Sequence, residues 1–152
     1  MNLRPQIDDF LSSSKIAIAG VSRNKNKFGN NVYRELKKKG FNVLPLNPNC
    51  DLIEGDRCYH TISALPSDVE ALLCVMKPDI TEKVLDQAVK GQIKKIWIQQ
   101  GAESEKAITL CQEQGITPVT KSCIMMYAGP VDSIHKFHRG IAKLFKSYHK
   151  PL

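Results

Sequence analysis

The segment Gly20-Val21-Ser22-Arg23-Asn24-Lys25-Asn26-Lys27-Phe28-Gly29 combines two glycines, a hydroxyl, three basic side chains and the start of an amphipathic stretch. Backbone amides, positive charge and a helix dipole can converge there on a phosphate. The plain alternative is a solvated connecting loop. Dinucleotide oxidoreductases normally carry Gly-x-Gly-x-x-Gly at such a place, and an acidic residue at the end of the next strand accepts the adenosine ribose diol. Here the glycines stand nine positions apart and the next apolar run ends in Asn47. Arg23, Lys25 and Lys27 suit a ligand richer in phosphate than NAD. An extra ribose phosphate would satisfy that charge in either NADP or coenzyme A.

Other reactive residues are scattered. Cys123 follows the last apolar run beside Lys121 and Ser122, where a nearby ammonium would favour the thiolate and exchange with a ligand thiol; a small residue packing the strand end is the simpler role. The five cysteines are widely spaced, with no Cys-x-x-Cys pair, which fits reduced thiols in the cytoplasm rather than zinc or disulfide chemistry. His135 and His138 lie three apart without a third ligand nearby, a weak metal signal. His60 is isolated and reads as a surface or loop histidine.

The elements that would carry these loops follow from the apolar pattern. Lys15 to Val21 is a continuous β-branched run, expected as a buried parallel strand. Val32, Leu36 and Lys37-Lys38-Lys39 describe an amphipathic helix closed by Gly40, with its cations at the favourable end. Further strands are expected at Asn42 to Asn47, Val69 to Met76, Lys95 to Gln100 and Thr117 to Thr120. Helices are expected at about Asp79 to Lys90 and Glu103 to Gln114, the last ending at Gly115. Between Asn49 and Pro66 the pattern weakens to a loop with one helical turn. Alternating strands and helices predict a doubly wound, Rossmann-type five-stranded parallel sheet covered on both faces.

In such sheets ligands sit beyond the carboxyl ends of the strands, where strand order reverses. The loops in question are 20–29, then Leu46-Asn47-Pro48, Met76-Lys77-Pro78, Gln99-Gln100-Gly101 and Lys121-Ser122-Cys123.

These residues resemble a known family, the small coenzyme A-binding proteins related to the N-terminal domain of the succinyl-CoA synthetase α subunit. The likeness spans about Lys15 to Ile124. It rests on Gly20-Val21-Ser22-Arg23-Asn24 with Lys27-Phe28-Gly29, on Pro45-Leu46-Asn47-Pro48, on Lys77-Pro78, on Ile96-Trp97-Ile98-Gln99-Gln100-Gly101 and on Cys123. The resemblance implies a site for coenzyme A or an acyl-CoA built from Gly20, Ser22, Arg23, Asn24, Lys27, Phe28, Gly29, Asn47, Pro48, Met76, Lys77, Pro78, Gln100, Gly101 and Cys123. The first loop would hold the phosphates, and the second and third strand ends would flank the adenosine. It does not carry over ligase activity, because the synthetase needs a further domain with its phosphorylated histidine. A non-catalytic, regulatory or carrier role is expected, with an NADP-type binding protein or small oxidoreductase as the alternative.

The chain has 152 residues and a net charge of +7, long enough for one domain with a proper core and basic enough to favour anionic partners. One domain, 1–152, is expected, with its core at 15–124. A basic amphipathic helix at 131–150 should dock on the sheet. Self-association, an acidic partner or an anionic membrane are its other uses. No nucleic-acid motif is visible, and no apolar run approaches the roughly 20 residues of a membrane span. A cytoplasmic location is expected.

Overall fold

The computed structural model of the chain describes residues 2–129. A helix, α1 (Arg4–Leu11), precedes strand β1 (Ile16–Ala19) and helix α2 (Phe28–Lys38). Strand β2 (Val43–Leu46) is followed by a short hairpin of β3 (Leu52–Ile53) and β4 (Asp56–Arg57), and by a 3-10 turn at Ile62–Ala64. Strand β5 (Ala71–Cys74), helix α3 (Pro78–Ala88), strand β6 (Lys95–Gln99), helix α4 (Glu105–Glu113) and strand β7 (Val119–Ser122) complete the order.

The main sheet runs β2-β1-β5-β6-β7, with all neighbours parallel. Its direction of winding reverses between β1 and β5, so the carboxyl ends of those two strands, at Gly20 and Val75, border the switch point. Every residue of β1 and β5 is buried, as expected for strands covered on both faces. Alternation divides them between two cores. Ile16, Ile18 and Leu73 join α1, α2 and Trp97 on one face; Ala17, Ala19, Leu72 and Cys74 join α3 and α4 on the other.

The two glycine-terminated helices end as their sequences imply. The Gly40 amide donates to Lys37 O and the Phe41 amide to Leu36 O, at 3.0 and 3.1 Å. Gly115 and Ile116 repeat the pattern on Gln112 and Cys111, both at 3.0 Å. These paired bonds satisfy the last carbonyls and need a left-handed residue, supplied by Gly40 at φ +96° and Gly115 at φ +74°.

Three details differ from the sequence reading. The N-terminal residues form α1, whose Ile7, Phe10 and Leu11 are buried. Phe10 meets Trp97 edge to face at 5.5 Å, so this helix closes one side of the sheet. Residues 49–66 hold a hairpin as well as the expected turn, because Glu54 and Gly55 both adopt positive φ (+53° and +80°), as tight hairpins require. The last strand lies two residues later than expected. Lys121, at φ +55°, inserts an extra residue between the Trp97↔Val119 and Gln99↔Ser122 pairs. The predicted helix at 131–150, and with it His135 and His138, lies outside the described residues.

The outer edge of β2 is closed without a crossover helix. Tyr59 donates its amide to Pro45 O at 2.9 Å and accepts from the Asn47 amide at 2.8 Å. Pro45 has no amide of its own to offer, which suits it to an edge strand.

Candidate functional site

At the end of β1 the chain turns at Gly20, which holds φ +100°. A Cβ there would lie 2.3 Å from Val75 O, so the turn passes against the end of β5 only as glycine. Nine residues later, a Cβ on Gly29 would lie 2.2 Å from Gly20 O. The wide glycine spacing has a geometric purpose: it lets α2 start in contact with the strand end it follows.

The loop between the glycines is braced from within. The Asn24 amide donates to Ser22 Oγ at 3.0 Å, and the Asn26 amide to Asn24 Oδ1 at 2.9 Å. Buried Asn30 donates its amide to Ser22 O at 2.7 Å and accepts from Arg34 Nε at 2.8 Å. Asn47 donates to Val21 O at 2.8 Å while its Oδ1 accepts from the Asn49 amide, also at 2.8 Å. Asn47 therefore serves the shape of the loop.

Two helices begin at the crevice with lysine in the N-cap position. Lys27 precedes α2 and Lys77 precedes α3, and neither forms a side-chain cap. Ser, Thr, Asp and Asn are the residues that satisfy first-turn amides, and a cation opposes the positive end of the helix dipole. Helix α4 provides the contrast: Ser104 accepts from the Ala107 amide at 3.1 Å and donates to Glu82 at 2.8 Å. The starts of α2 and α3 thus bring two lysines and the first-turn amides of α2 to one space; on α3, Pro78 has no amide and the Ile80 amide already donates to Lys77 O at 3.1 Å.

That space has two lobes sharing Gly20 and Met76. The first, about 450 Å³, is lined by Gly20, Ser22, Lys27, Phe28, Gly29, Met76, Lys77, Pro78, Gln100 and Gly101 of the expected site, and also by Val75, Gln99 and Ala102. The second, about 470 Å³, contains the expected Asn47 and Pro48. It adds Asn49 before the hairpin, His60, Thr61 and Ile62 after it, and Ile80, Lys83, Val84 and Gln87 from α3. Exposed Phe28 opens onto the first lobe and exposed Ile80 onto the second.

Three expected site residues stand apart. Arg23 and Asn24 are exposed on the outer part of the loop, away from both linings. Cys123 is half-buried past β7 and lines neither lobe. His60, expected as a surface or loop histidine, is exposed and also borders the second lobe, with Nε2 at 2.9 Å from Asp51 Oδ1 and 3.0 Å from Cys50 O. The α3 residues 80, 83, 84 and 87 share one helical face, beside the one that buries Thr81, Leu85 and Ala88. That periodicity was the available sign that α3 contributes a wall.

Titration sets the scaffold apart from the crevice. Burial pushes the Cys111 thiol up to about 12, and burial also raises Cys74 and Cys58. Those thiols remain protonated near neutrality. Asp56 is held below the ordinary carboxylate range by hydrogen bonds first from Lys37 and then from Tyr33, which anchors the hairpin to α2.

A five-stranded parallel sheet wound in this order, with a glycine loop and a crevice at its switch point, defines a Rossmann-like nucleotide-binding fold. The chain belongs to the CoA binding domain family, which it matches over residues 14–128. It is 28% identical over 124 residues to acetate–CoA ligase (ADP-forming) II of Archaeoglobus fulgidus, covering 74% of this chain but only 18% of the ligase. Among solved structures, a conserved hypothetical protein of Pyrococcus furiosus is 41% identical, with a TM-score of 0.72 over 75% of this chain and 98% of that one. A hypothetical protein of Pyrococcus horikoshii is 26% identical, with a TM-score of 0.74 and 91% of each chain covered. Among the described residues, no helix is long and apolar enough to cross a membrane.

Proposed function

We propose that the two-lobed crevice binds coenzyme A or an acyl-CoA, and that the domain holds this ligand without transforming it. The observation that carries the reading is the pair of lysine-preceded, side-chain-uncapped helix starts at Lys27 and Lys77 on one cavity. A pyrophosphate between them would satisfy first-turn amides and neutralise the two ammonium groups. The apolar floor of the second lobe, with Leu46, Ile62 and Ile80, suits an adenine face. Phe28 and Met76 in the first lobe suit a pantetheine arm.

The holding role is supported by the chemistry of the first lobe's wall, which consists of backbone, amide, hydroxyl, ammonium and apolar groups. Such a wall positions a thioester better than it activates one. The ligase activity named for the Archaeoglobus relative belongs to a protein of which this chain spans 18%.

Calorimetric titration of the reduced protein with coenzyme A, alongside NADP, NAD and ATP, tests the ligand. Selective micromolar binding of coenzyme A, together with recovery of intact acetyl-CoA after incubation, is the expected result. A preference for NADP, or no binding of coenzyme A, overturns the ligand assignment; consumption of acetyl-CoA overturns the holding role.

A further inference from the structure

The second lobe contains a cation with no assigned purpose. Lys83 lies on the α3 face that lines this cavity and is the only lysine or arginine among the described residues of its wall. It is exposed. It also borders a groove bearing Asp79, Glu82 and Asp86, yet it forms no ion pair among the described residues. About two turns further on, Lys90 pairs with Asp86 at 3.3 Å. The ammonium at Lys83 is therefore left available to the cavity.

The rest of the lobe limits what that ammonium can meet. Asn47 ends β2 where dinucleotide enzymes place the acid that accepts a ribose diol, and both ends of its amide are committed to Val21 and Asn49. His60 Nε2 sits within hydrogen-bond distance of two oxygens, Cys50 O and Asp51 Oδ1. This assigns the ring hydrogen to Nε2 and leaves Nδ1 an acceptor in the neutral ring. The Asp51 carboxylate stands against the ring at 2.9 Å. Among the described residues of the lining, only Lys83 offers an ammonium or guanidinium, and it is held in no ion pair.

We propose that Lys83 is a specificity residue that recognises a phosphate monoester on the ribose of the bound nucleotide. The inference rests on the coenzyme A reading above and adds to it the part of the ligand that the second lobe reads. An ammonium on a flexible stem suits a terminal phosphate as a point charge, and the hydroxyl of Thr61 on the same wall can add a neutral donor. A ligand without that phosphate would fill the lobe with its adenine but leave Lys83 unanswered.

The test compares coenzyme A with 3′-dephospho-coenzyme A in the wild type and in Lys83→Gln and Lys83→Arg. The wild type should prefer coenzyme A. Lys83→Gln should weaken coenzyme A about tenfold and leave the dephospho ligand unchanged, and Lys83→Arg should keep the preference. Because Lys83 is exposed on the helix surface, circular dichroism should show all three proteins folded. Equal loss for both ligands, no loss in Lys83→Gln, or a wild type indifferent to the phosphate each overturns the proposal while leaving coenzyme A binding intact. Failure of the wild type to bind either ligand overturns the ligand reading on which the proposal rests.

Discussion

The α carbon of Gly29 faces the carbonyl of Gly20 so closely that a Cβ would stand 2.2 Å from that oxygen. The contact joins the first turn of α2 to the end of β1. It fixes where the amides of that turn point. Any side chain at position 29 must displace backbone on one of the two elements.

Gly29→Ala should therefore lower stability by about 1–3 kcal/mol, the usual cost of overpacking, and reduce coenzyme A binding as well. Gly91→Ala is the matched control, since its nearest contact would be an ordinary 3.8 Å. Urea unfolding of both variants, followed by titration, separates the site-specific effect from a general glycine effect. Equal behaviour of the two variants would refute the close-approach argument.

Replacing either lysine N-cap should strengthen the free protein and weaken the complex. In Lys27→Ser and Lys77→Ser a hydroxyl can accept from a first-turn amide, and the opposing charge is removed; each should gain about 0.5–1 kcal/mol without ligand. Both should bind coenzyme A less tightly. Denaturant midpoints measured with and without coenzyme A give the two signs in one experiment, and a parallel loss of both quantities would contradict the prediction.

Asn47→Asp restores the acidic residue that NAD enzymes carry at the end of the second strand, yet it should not create NAD binding. The new carboxylate would confront Val21 O, which now receives the Asn47 amide at 2.8 Å. The expected outcome is a loss of about 1–3 kcal/mol from an unpaired carbonyl, with no heat on titration with NAD. Detectable NAD binding would mean that this side chain turns into the lobe.

The Asp56 cluster predicts an acid-sensitive hairpin. Its folded pKa is lowered by Lys37, at 2.6 Å, and by Tyr33. A depressed carboxylate pKa contributes stability above the unfolded value of about 3.9 and loses it as pH falls through the folded value. Asp56→Asn should cost about 1 kcal/mol at neutral pH, in keeping with a partly exposed pair. The difference between its melting temperature and that of the wild type should shrink below about pH 4. A gap that stays constant with pH would show that the charge of Asp56 contributes nothing.

Much of the site was legible because strand ends and helix starts are written in local residues. Gly20, Gly29, Pro48 and Pro78 mark chain turns that any α/β sheet must make at its carboxyl edge, and the loops they bound do meet around the crevice. Three things were hidden. The hairpin turns at Glu54-Gly55 rather than at a common Asn-Gly or Asp-Gly pair, so it left no strong local mark. The bulge at Lys121 depends on pairing with β6, a partner more than 20 residues away. The role of Asn47 depends on its reach across to Val21, and residue type alone could not distinguish a ligand contact from a brace.

The outer side of β2 has a consequence for how the molecule behaves in a crowded solution. A bare strand edge invites a neighbour's strand and is a starting point for aggregation. Pro45 withholds the donor such a guest would need, and Tyr59 already occupies its carbonyl at 2.9 Å. The residues that return the chain from the hairpin to the ligand lobe thus also serve as a stopper, restricting the growth of the sheet from one molecule into the next.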